Sequence, residues 1–236
     1  MNIKNILFLD IETVPETQSF AELDPLKQEL FSKKTAYQRK DEITADEFYE
    51  RAGIWAEFGK IICISVGFFD LHSEKPAFRI KSFFGDDERK ILLAFKNLLD
   101  KFFSKPEQVL CAHNGKEFDF PFIARRMIVH SIALPEKLQL FGKKPWEVAH
   151  LDTMEMWKFG DFKHYTSLNL LTNILGIPSP KEDIDGSQVA KVYYEDQDLL
   201  RIVKYCERDT LAVAQVYLRL THQPILEEDQ VLFVEN

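Results

Sequence analysis

The distribution of apolar and polar residues along the chain predicts a series of strands. Residues 6–9 (ILFL) form a continuous apolar run, which is typical of a strand buried on both faces. Residues 60–70 and 77–84 are rich in β-branched and aromatic side chains, which predicts two more strands lying side by side with the first. Residues 109–112 form a short apolar strand, and residues 148–152 could add a fifth.

Helical patterns fill the intervals between these strands. Apolar residues at three- and four-residue spacing, together with helix start and stop signals, predict helices at 86–103, 121–130, 167–175 and 196–220. The polar segment 16–57 carries two helix start signals, an Asp-Pro pair at 24–25 and a capping box that begins at Thr44. We therefore predict an α/β domain over residues 1–220 with a helical insertion at 16–57, and a C-terminal tail or added edge strand at 221–236.

Composition and charge narrow the class of protein. The chain has 236 residues, of which 45% are hydrophobic, enough to form a sizeable core. Its formal charge of -8 argues against a protein that coats nucleic acid or an acidic membrane through bulk charge, but leaves room for a local anion site. No apolar run approaches the ~20 residues that span a bilayer. The N-terminus also lacks a signal-peptide pattern, so we expect no membrane association and a cytoplasmic location.

The cysteines carry no chemical signal of their own. Cys63, Cys111 and Cys206 are an odd number and lack the spacing of a metal site. Each lies among apolar neighbours, as a small core residue does. The sequence therefore supports neither a disulfide framework nor a zinc site.

Two acids at the end of the first strand are the first unusual feature. Asp10 and Glu12 are two residues apart, so their side chains project from the same face of the strand. Burying ionised acids without partners is costly, so such a pair suggests a bound cation. Oxygen ligands favour Mg²⁺ or Mn²⁺ over Zn²⁺. The alternative is two solvated acids at a strand end.

Three further residues could belong to the same site. Asp119 follows a predicted strand and lies between Phe118 and Phe120, although an Asp shortly before a proline, here Pro121, can also be a helix N-cap. Tyr205 and Asp209 are one turn apart in the last helix, so they share a face. Taken alone, each of these residues is more typical of a structural role. The argument for a site therefore rests on their combination.

The combination resembles the motifs of a known family. LDIET at 9–13, HNGKEFDFPFI at 113–123 and YCERD at 205–209 are similar, in order and separation, to the three motifs of the tyrosine-type DEDD 3'-5' exonucleases. In particular, they resemble the proofreading exonuclease domain of family-B DNA polymerases and stand-alone bacterial proteins predicted to be such exonucleases. The resemblance implies a ribonuclease H-like fold: a mixed five-stranded sheet, three antiparallel strands followed by two parallel ones, flanked by helices.

The resemblance also implies a role for each residue of the combination. Four acids would be catalytic and would ligate two divalent ions, Mg²⁺ or Mn²⁺: Asp10, Glu12, Asp119 and Asp209. Tyr205 would be catalytic by holding the attacking water, since the histidine-type branch has a His five positions before the last Asp, where this chain has Lys204. Two ions about 3.5–4 Å apart can activate a water and stabilise the departing 3'-oxyanion. A Tyr hydroxyl, with an ordinary pKa of about 10, is a poor base, so Tyr205 is expected to position the water.

The expected substrate is single-stranded nucleic acid, DNA rather than RNA, degraded from its 3' end to nucleoside 5'-monophosphates. Asn114 and Phe118 are the candidate substrate contacts, although a loop Asn can equally shape its own turn. Glu117 departs from the family-B pattern, which commonly has Asn there, so contacts in this loop cannot be copied across. The alternative function is a ribonuclease H-like binding or scaffolding domain that has lost activity. A protein partner that strengthens substrate binding is left open.

Basic residues interleaved with aromatic ones are a further candidate for substrate binding. The densest cluster lies in the insertion and comprises Lys33, Lys34, Arg39 and Lys40, with Phe31 and Tyr37 between them. It could guide a single strand through phosphate contacts and stacking, or it could be a solvated helix face. The loops at 143–146 and 163–165 are similar candidates with the same alternative.

Overall fold

Six strands form one mixed sheet in the structure, a computed structural model that describes residues 2–39, 43–71, 77–161, 165–178 and 184–234. The strands are β1 (Ile6–Pro15), β2 (Gly59–Asp70), β3 (Ala77–Phe84), β4 (Val109–Ala112), β5 (Leu151–Asp152) and β6 (Val231–Phe233). Their order across the sheet is β5-β4-β1-β2-β3-β6. β2 is antiparallel to both β1 and β3, whereas β4 is parallel to β1 and β5 is parallel to β4.

Eight α-helices among the described residues surround the sheet. They are α1 (Pro25–Thr35), α2 (Ala45–Phe48), α3 (Glu88–Phe102), α4 (Asp119–Val129), α5 (Thr153–Lys158), α6 (Leu168–Ile174), α7 (Val189–Lys191) and α8 (Leu199–Leu220). A 3₁₀ helix (Tyr49–Ile54) ends the segment between β1 and β2. Within the described ranges, none of the helices is long and apolar enough to cross a bilayer.

The predicted fold class, an α/β mixed sheet flanked by helices, is confirmed, with two differences in detail. The sheet has six strands rather than five, because Val231–Phe233 in the predicted tail pairs in parallel with β3. The strand expected at 148–152 is only Leu151–Asp152. Residues 72–76, between β2 and β3, lie outside the described residues.

One face of β1 lies in a core formed with α3 and α4. Leu7, Leu9 and Ile11 project to this side and pack with Phe95 of α3 and Ile123 of α4. Their alternation follows from the two-residue period of a strand. This core fixes α4 against the sheet, and therefore fixes the point at which α4 begins.

The opposite face of β1 lies under α8. Ile6 and Phe8 project to this side and pack with Val213, Ala214 and Tyr217 of α8. Phe8 is the centre of an aromatic cluster, with edge-on contacts to Phe69, Phe78 and Tyr217. Because β1 keeps its alternation, the next two side chains on this face, at positions 10 and 12, also lie on the α8 side.

The insertion between β1 and β2 has a small core of its own. Phe31 is fully buried there and makes edge-on contacts with Tyr49, Trp55 and Phe58. Both predicted start signals are confirmed: Asp24 accepts hydrogen bonds at the start of α1, and Thr44 forms a capping box at the start of α2. This core holds the insertion as an ordered unit beside the end of β1.

The insertion is attached tightly to β1. The Thr13 hydroxyl donates to the Gly53 carbonyl at 2.8 Å. A Cβ at Gly53 would lie 3.2 Å from the Val14 carbonyl carbon, which is closer than an ordinary contact. A glycine here therefore lets the Tyr49–Ile54 helix approach the strand directly beside Glu12.

The basic cluster of the insertion is mostly neutralised by local contacts. Lys33 pairs with Glu29, and Lys34 pairs with Glu57 at 3.2 Å. Arg39 donates to the carbonyls of Ser32 and Ile43, whereas Lys40 lies outside the described residues. These contacts favour the alternative in which the cluster is a solvated helix face, rather than a surface that guides single-stranded nucleic acid.

A buried ion pair ties four parts of the fold together. Arg126 of α4 donates to both carboxylate oxygens of Glu88 in α3, at 2.8 and 2.5 Å, and to the Ala56 carbonyl at 2.9 Å. The Ile61 amide of β2 also donates to Glu88, at 2.7 Å. Burial opposes ionisation of Glu88, but the bonds from Arg126 and Ile61 outweigh it and lower its pKa.

We predict that Arg126→Ala destabilises the protein by about 3–5 kcal/mol, because it leaves a buried carboxylate without its cation. Denaturant unfolding of the variant measures this loss. The double variant Glu88→Leu/Arg126→Met should recover part of it, since an apolar pair of similar size carries no unpaired charge, although the Ile61 amide and the Ala56 carbonyl lose their partners. Lys96→Ala, which removes the exposed pair with Asp100, is the control and should change stability by less than about 1 kcal/mol.

The ion pair also predicts a pH dependence. Because the pKa of Glu88 is lowered on folding, its stabilisation is present above the unfolded-state pKa and is lost as the pH falls through the folded-state value. The Glu88→Leu/Arg126→Met variant should therefore lose less stability than the wild type on acidification below about pH 4.3. Parallel acid-denaturation curves for the two proteins would contradict this assignment.

Candidate active site

Asp10 and Glu12 lie side by side in the middle of β1, on the face covered by α8; the strand continues past the expected end to Pro15. Their cross-strand neighbours in β2 are Ser65 and Cys63, which are small enough to leave space above the strand. The pairing of β1 and β2 shifts register just after Glu12. Glu12 is only 8% exposed, and the Oδ2 atom of Asp10 is buried with no hydrogen-bond partner among the residues the structure describes.

The helix α8 brings Tyr205 and Asp209 to the same place. The Cys206 thiol between them donates to the Asp10 carbonyl at 3.4 Å, and the Thr210 hydroxyl donates to the Ser65 carbonyl at 3.3 Å. These two contacts hold this part of the helix against β1 and β2. Tyr205 and Asp209 are half-buried and line a recess between α8 and α6.

Asp119 enters the site from the other face of the sheet. It is the first residue of α4, and the capping position belongs to Phe118, so the alternative in which Asp119 caps this helix is wrong. Asp119 is 4% exposed. Its pKa is raised to about 7, mainly by burial and also by the charges of Asp152 and Asp209, against the opposing effect of backbone amides including that of Ile11. Although α4 packs against one face of the sheet, its first residue, Asp119, thus lies near the Asp10–Glu12 pair on the other face.

The four acids act on one another electrostatically. Burial is the main cause that raises the pKa of Asp10 well above its ordinary value, and the charges of Glu12, Asp209 and Asp119 add to it. Burial likewise raises the pKa of Glu12, with contributions from Asp209 and Asp119. Like charges held out of water are stabilised by a cation, so the donor set and the unpartnered oxygen of Asp10 fit a divalent metal.

The closest grouping of ligand atoms includes a residue that the sequence patterns assign to the core. One oxygen of Asp10, one oxygen of Glu12 and the sulfur of Cys206 lie within 4.8 Å of one another. Asp119 and Asp209 are outside that group among the described residues, although their charges reach it. Cys206 is fully buried as predicted, but its sulfur faces the acids. The sequence feature that could have revealed this role is the position of Cys206, directly after Tyr205 and three residues before Asp209.

Asp152 holds the loop between β4 and α4. Its carboxylate accepts hydrogen bonds from the backbone amides of Asn114, Lys116, Met154 and Glu155, at 2.9–3.3 Å. These contacts make it a structural acid. By holding Asn114 and Lys116 of the loop beside the start of α5, it helps to set the position from which Phe118 and Asp119 project.

The two candidate substrate contacts occupy different positions in this loop. Asn114 has φ 62°, a left-handed conformation that Asn tolerates, and its Oδ1 is buried without a partner in the described ranges. Phe118 is partly exposed and packs edge-tilted against Phe122, with ring centroids 5.4 Å apart. The backbone conformation supports the alternative in which Asn114 shapes its own turn, whereas Phe118 faces an open groove.

A groove opens beside Glu12. It is lined by residues from the insertion, from β1, from the starts of α4 and α7, and from the loop before α6: Ile11, Glu12, Thr13, Pro15, Glu50, Arg51, Gly53, Ile54, Phe118, Tyr165, Gly186, Ser187 and Ala190. Tyr165 is 69% exposed, and partial burial and the Asp119 charge raise its pKa. Lys163 and His164, from the same predicted loop, lie outside the described residues.

The fold has the organisation of a ribonuclease H-like exonuclease domain. The structure is similar to that of the family B DNA polymerase from the hyperthermophilic archaeon Pyrobaculum calidifontis, with a TM-score of 0.55 and 16% identity over 93% of this chain. At this identity the similarity establishes the fold alone. The chain corresponds to 26% of the length of that polymerase.

The family is established by sequence. Residues 54–230 match the family described as predicted 3'-5' exonucleases related to the exonuclease domain of PolB, and the chain belongs to that family. The matched region contains Asp119, Tyr205 and Asp209. Asp10 and Glu12 precede it, so their place beside the other acids comes from the structure.

We predict that Asp10→Asn stabilises the metal-free protein while weakening its response to metal. Removing one of several buried like charges should raise the free energy of unfolding by about 0.5–2 kcal/mol in chelator. Addition of Mn²⁺ should raise the melting temperature of the wild type, and should raise that of the variant by less.

Glu117→Gln is the matched control for this prediction. Glu117 is an exposed acid two residues before Asp119, so removing its charge should leave both the chelator stability and the Mn²⁺ response unchanged. If Asp10→Asn instead destabilises the protein in chelator, Asp10 contributes more to stability through its structural contacts than it costs through charge repulsion.

Proposed function

We propose that the protein is a divalent-metal-dependent 3'-5' exonuclease that degrades single-stranded DNA to nucleoside 5'-monophosphates. The observation that carries this proposal is the convergence of the four acids, which lie on three separate elements; besides burial, the Asp209 charge contributes to the raised pKa values of Asp10, Glu12 and Asp119. Membership of the exonuclease family supports the direction of cleavage. Substrate, metal requirement and products are part of the proposal.

Each residue has a distinct role in the proposed reaction. Asp10, Glu12, Asp119 and Asp209 hold two Mg²⁺ or Mn²⁺ ions, which would supply the positive charge that activates a water and stabilises the departing 3'-oxyanion. Tyr205 orients the attacking water by hydrogen bonding, since an ordinary tyrosine is a weak base at neutral pH. Asp152 acts indirectly, by holding the loop that carries Asp119.

The groove beside Glu12 suits the end of a single strand. Phe118 and Tyr165 offer aromatic rings for base stacking, and Arg51 from the insertion offers a cation for a phosphate. The groove begins at an acid of the site, so a strand lying in it would present its terminal phosphodiester to the acids. The insertion would then form part of the substrate site.

Digestion of labelled oligonucleotides tests the proposed activity. With Mn²⁺ or Mg²⁺, 5'-labelled single-stranded DNA should shorten stepwise, and 3'-labelled DNA should release labelled mononucleotide first. RNA of the same sequence should be degraded more slowly. Binding of DNA without cleavage under all these conditions would favour the inactive binding domain.

Two substitutions in α8 test the assigned roles. Asp209→Asn should lower the rate by at least roughly 10²-fold, and Tyr205→Phe should lower kcat by roughly 10²-fold, because a misplaced water reacts slowly. Both variants should remain folded, as judged by their melting temperatures. Lys204→Ala is the control: Lys204 is the exposed neighbour at the histidine-type position, and its loss should leave the rate unchanged.

A third substitution tests the groove. Tyr165→Ala should raise KM for single-stranded DNA with a smaller change in kcat, because stacking contributes about 1–3 kcal/mol per base, a factor of roughly 5 to 150. Phe102→Ala is the matched control, since Phe102 is similarly exposed, at 68%, but lies at the end of α3 outside the groove. Equal KM values for Tyr165→Ala and wild type would remove Tyr165 from the substrate site.

A further inference from the structure

A thiol lies in direct reach of the acid pair, and the proposed reaction does not use it. The Cys206 sulfur is within 4.8 Å of a carboxylate oxygen of Asp10 and of one of Glu12. Cys206 is fully buried, and its thiol donates only weakly, to the Asp10 carbonyl at 3.4 Å. A second buried thiol, Cys63, is in side-chain contact with it.

The Asp10 carboxylate provides a second, independent indication of a ligand. Its Oδ2 atom is buried and has no hydrogen-bond partner among the described residues. A buried carboxylate oxygen left unpaired is costly, which indicates that a cation completes it. A cation at that oxygen would lie next to the Cys206 sulfur.

Sulfur changes which cations the cluster prefers. Mg²⁺ and Mn²⁺ take oxygen ligands, and Mg²⁺ demands near-octahedral geometry with several waters. Zn²⁺ binds thiolate, carboxylate and imidazole groups in tetrahedral sites and stands above Mn²⁺ in the order of affinities. One thiol and two carboxylates therefore form a donor set that suits Zn²⁺ better than either proposed catalytic ion.

The geometry requires only a small movement. Zn–S bonds of about 2.3 Å and Zn–O bonds of about 2.0–2.2 Å place tetrahedral ligands roughly 3.5 Å apart. The three ligand atoms already lie within 4.8 Å, so rotation of the Asp10 and Glu12 side chains is sufficient. Binding displaces the thiol proton to solvent, involves no change of oxidation state, and leaves a fourth position for another oxygen.

We propose that Cys206, Asp10 and Glu12 form a site for a thiophilic divalent cation such as Zn²⁺, and that its occupation inhibits the nuclease. A tetrahedral ion held by the sulfur takes Asp10 and Glu12 away from the octahedral ions of the reaction. The inhibition rests on the proposed exonuclease activity, whereas the binding does not. The two parts can therefore fail separately.

Cadmium binding tests the site directly, because a Cd–thiolate bond has an ultraviolet charge-transfer band. Titration of chelator-treated protein with Cd²⁺ should produce this band in the wild type, saturating at one ion per chain. Cys206→Ser should abolish the band, and Asp10→Asn should weaken binding roughly tenfold or more. Cys111→Ser is the matched control, because Cys111 is equally buried but lies in β4, in the core under α8.

Inhibition by Zn²⁺ tests the consequence. At saturating Mg²⁺, the Zn²⁺ concentration for half inhibition should rise roughly tenfold or more in Cys206→Ser, with each variant referred to its own Zn²⁺-free rate. An unchanged value would overturn the inhibitory role. If the protein shows no nuclease activity, the proposed function fails while the Cd²⁺ band still decides the site.

Three results would overturn the site itself: no band in the wild type, a band that persists in Cys206→Ser, or a band lost in Cys111→Ser. Should Cys206→Ser fail to fold, cadmium NMR of the unaltered protein replaces it. A chemical shift in the range of mixed sulfur and oxygen ligands supports the site, and a shift for oxygen ligands alone refutes it.

Discussion

Two carboxylates held out of water in the middle of β1 impose the constraint around which the rest of the molecule is arranged. Asp10 and Glu12 share a face because a strand alternates, and that face is the one that α8 covers. Burial and the neighbouring charges of Asp119 and Asp209 raise the pKa values of both. The arrangement is unfavourable in the absence of a cation, so the surrounding structure must hold it in place.

That support comes from contacts on both sides of the sheet. On one side, the Cys206 thiol and the Thr210 hydroxyl fasten α8 to backbone carbonyls of β1 and β2. On the other side, the core shared by α3 and α4, with the Glu88–Arg126 pair at its edge, fixes where α4 begins. Stability in these regions offsets the repulsion among the acids, as is common where a site needs an unfavourable arrangement.

The parts of the structure that depend on local pattern were predictable from sequence. Residues 77–84 and 109–112 form strands with the predicted bounds, and Asp24 begins a helix, because strand periodicity and capping are set by near neighbours. Long-range pairing was not predictable in this way. The tail pairs with β3 through only three residues, and Cys206 faces the acids only because α8 crosses β1. For the site, the sequence order indicated the four acids, whereas their mutual burial depends on tertiary packing.

The formal charge of -8 and a substrate of negative charge can be reconciled by where the acids lie. A sum over the chain describes the field far from the surface, whereas a few cations bound by four buried acids would decide the potential at the site itself. The insertion adds Arg51 at the edge of the same groove, while its Lys27, Lys33 and Lys34 are paired with acids. Attraction would then be strongest for the few nucleotides nearest the acids, because the bound cations supply the positive charge there.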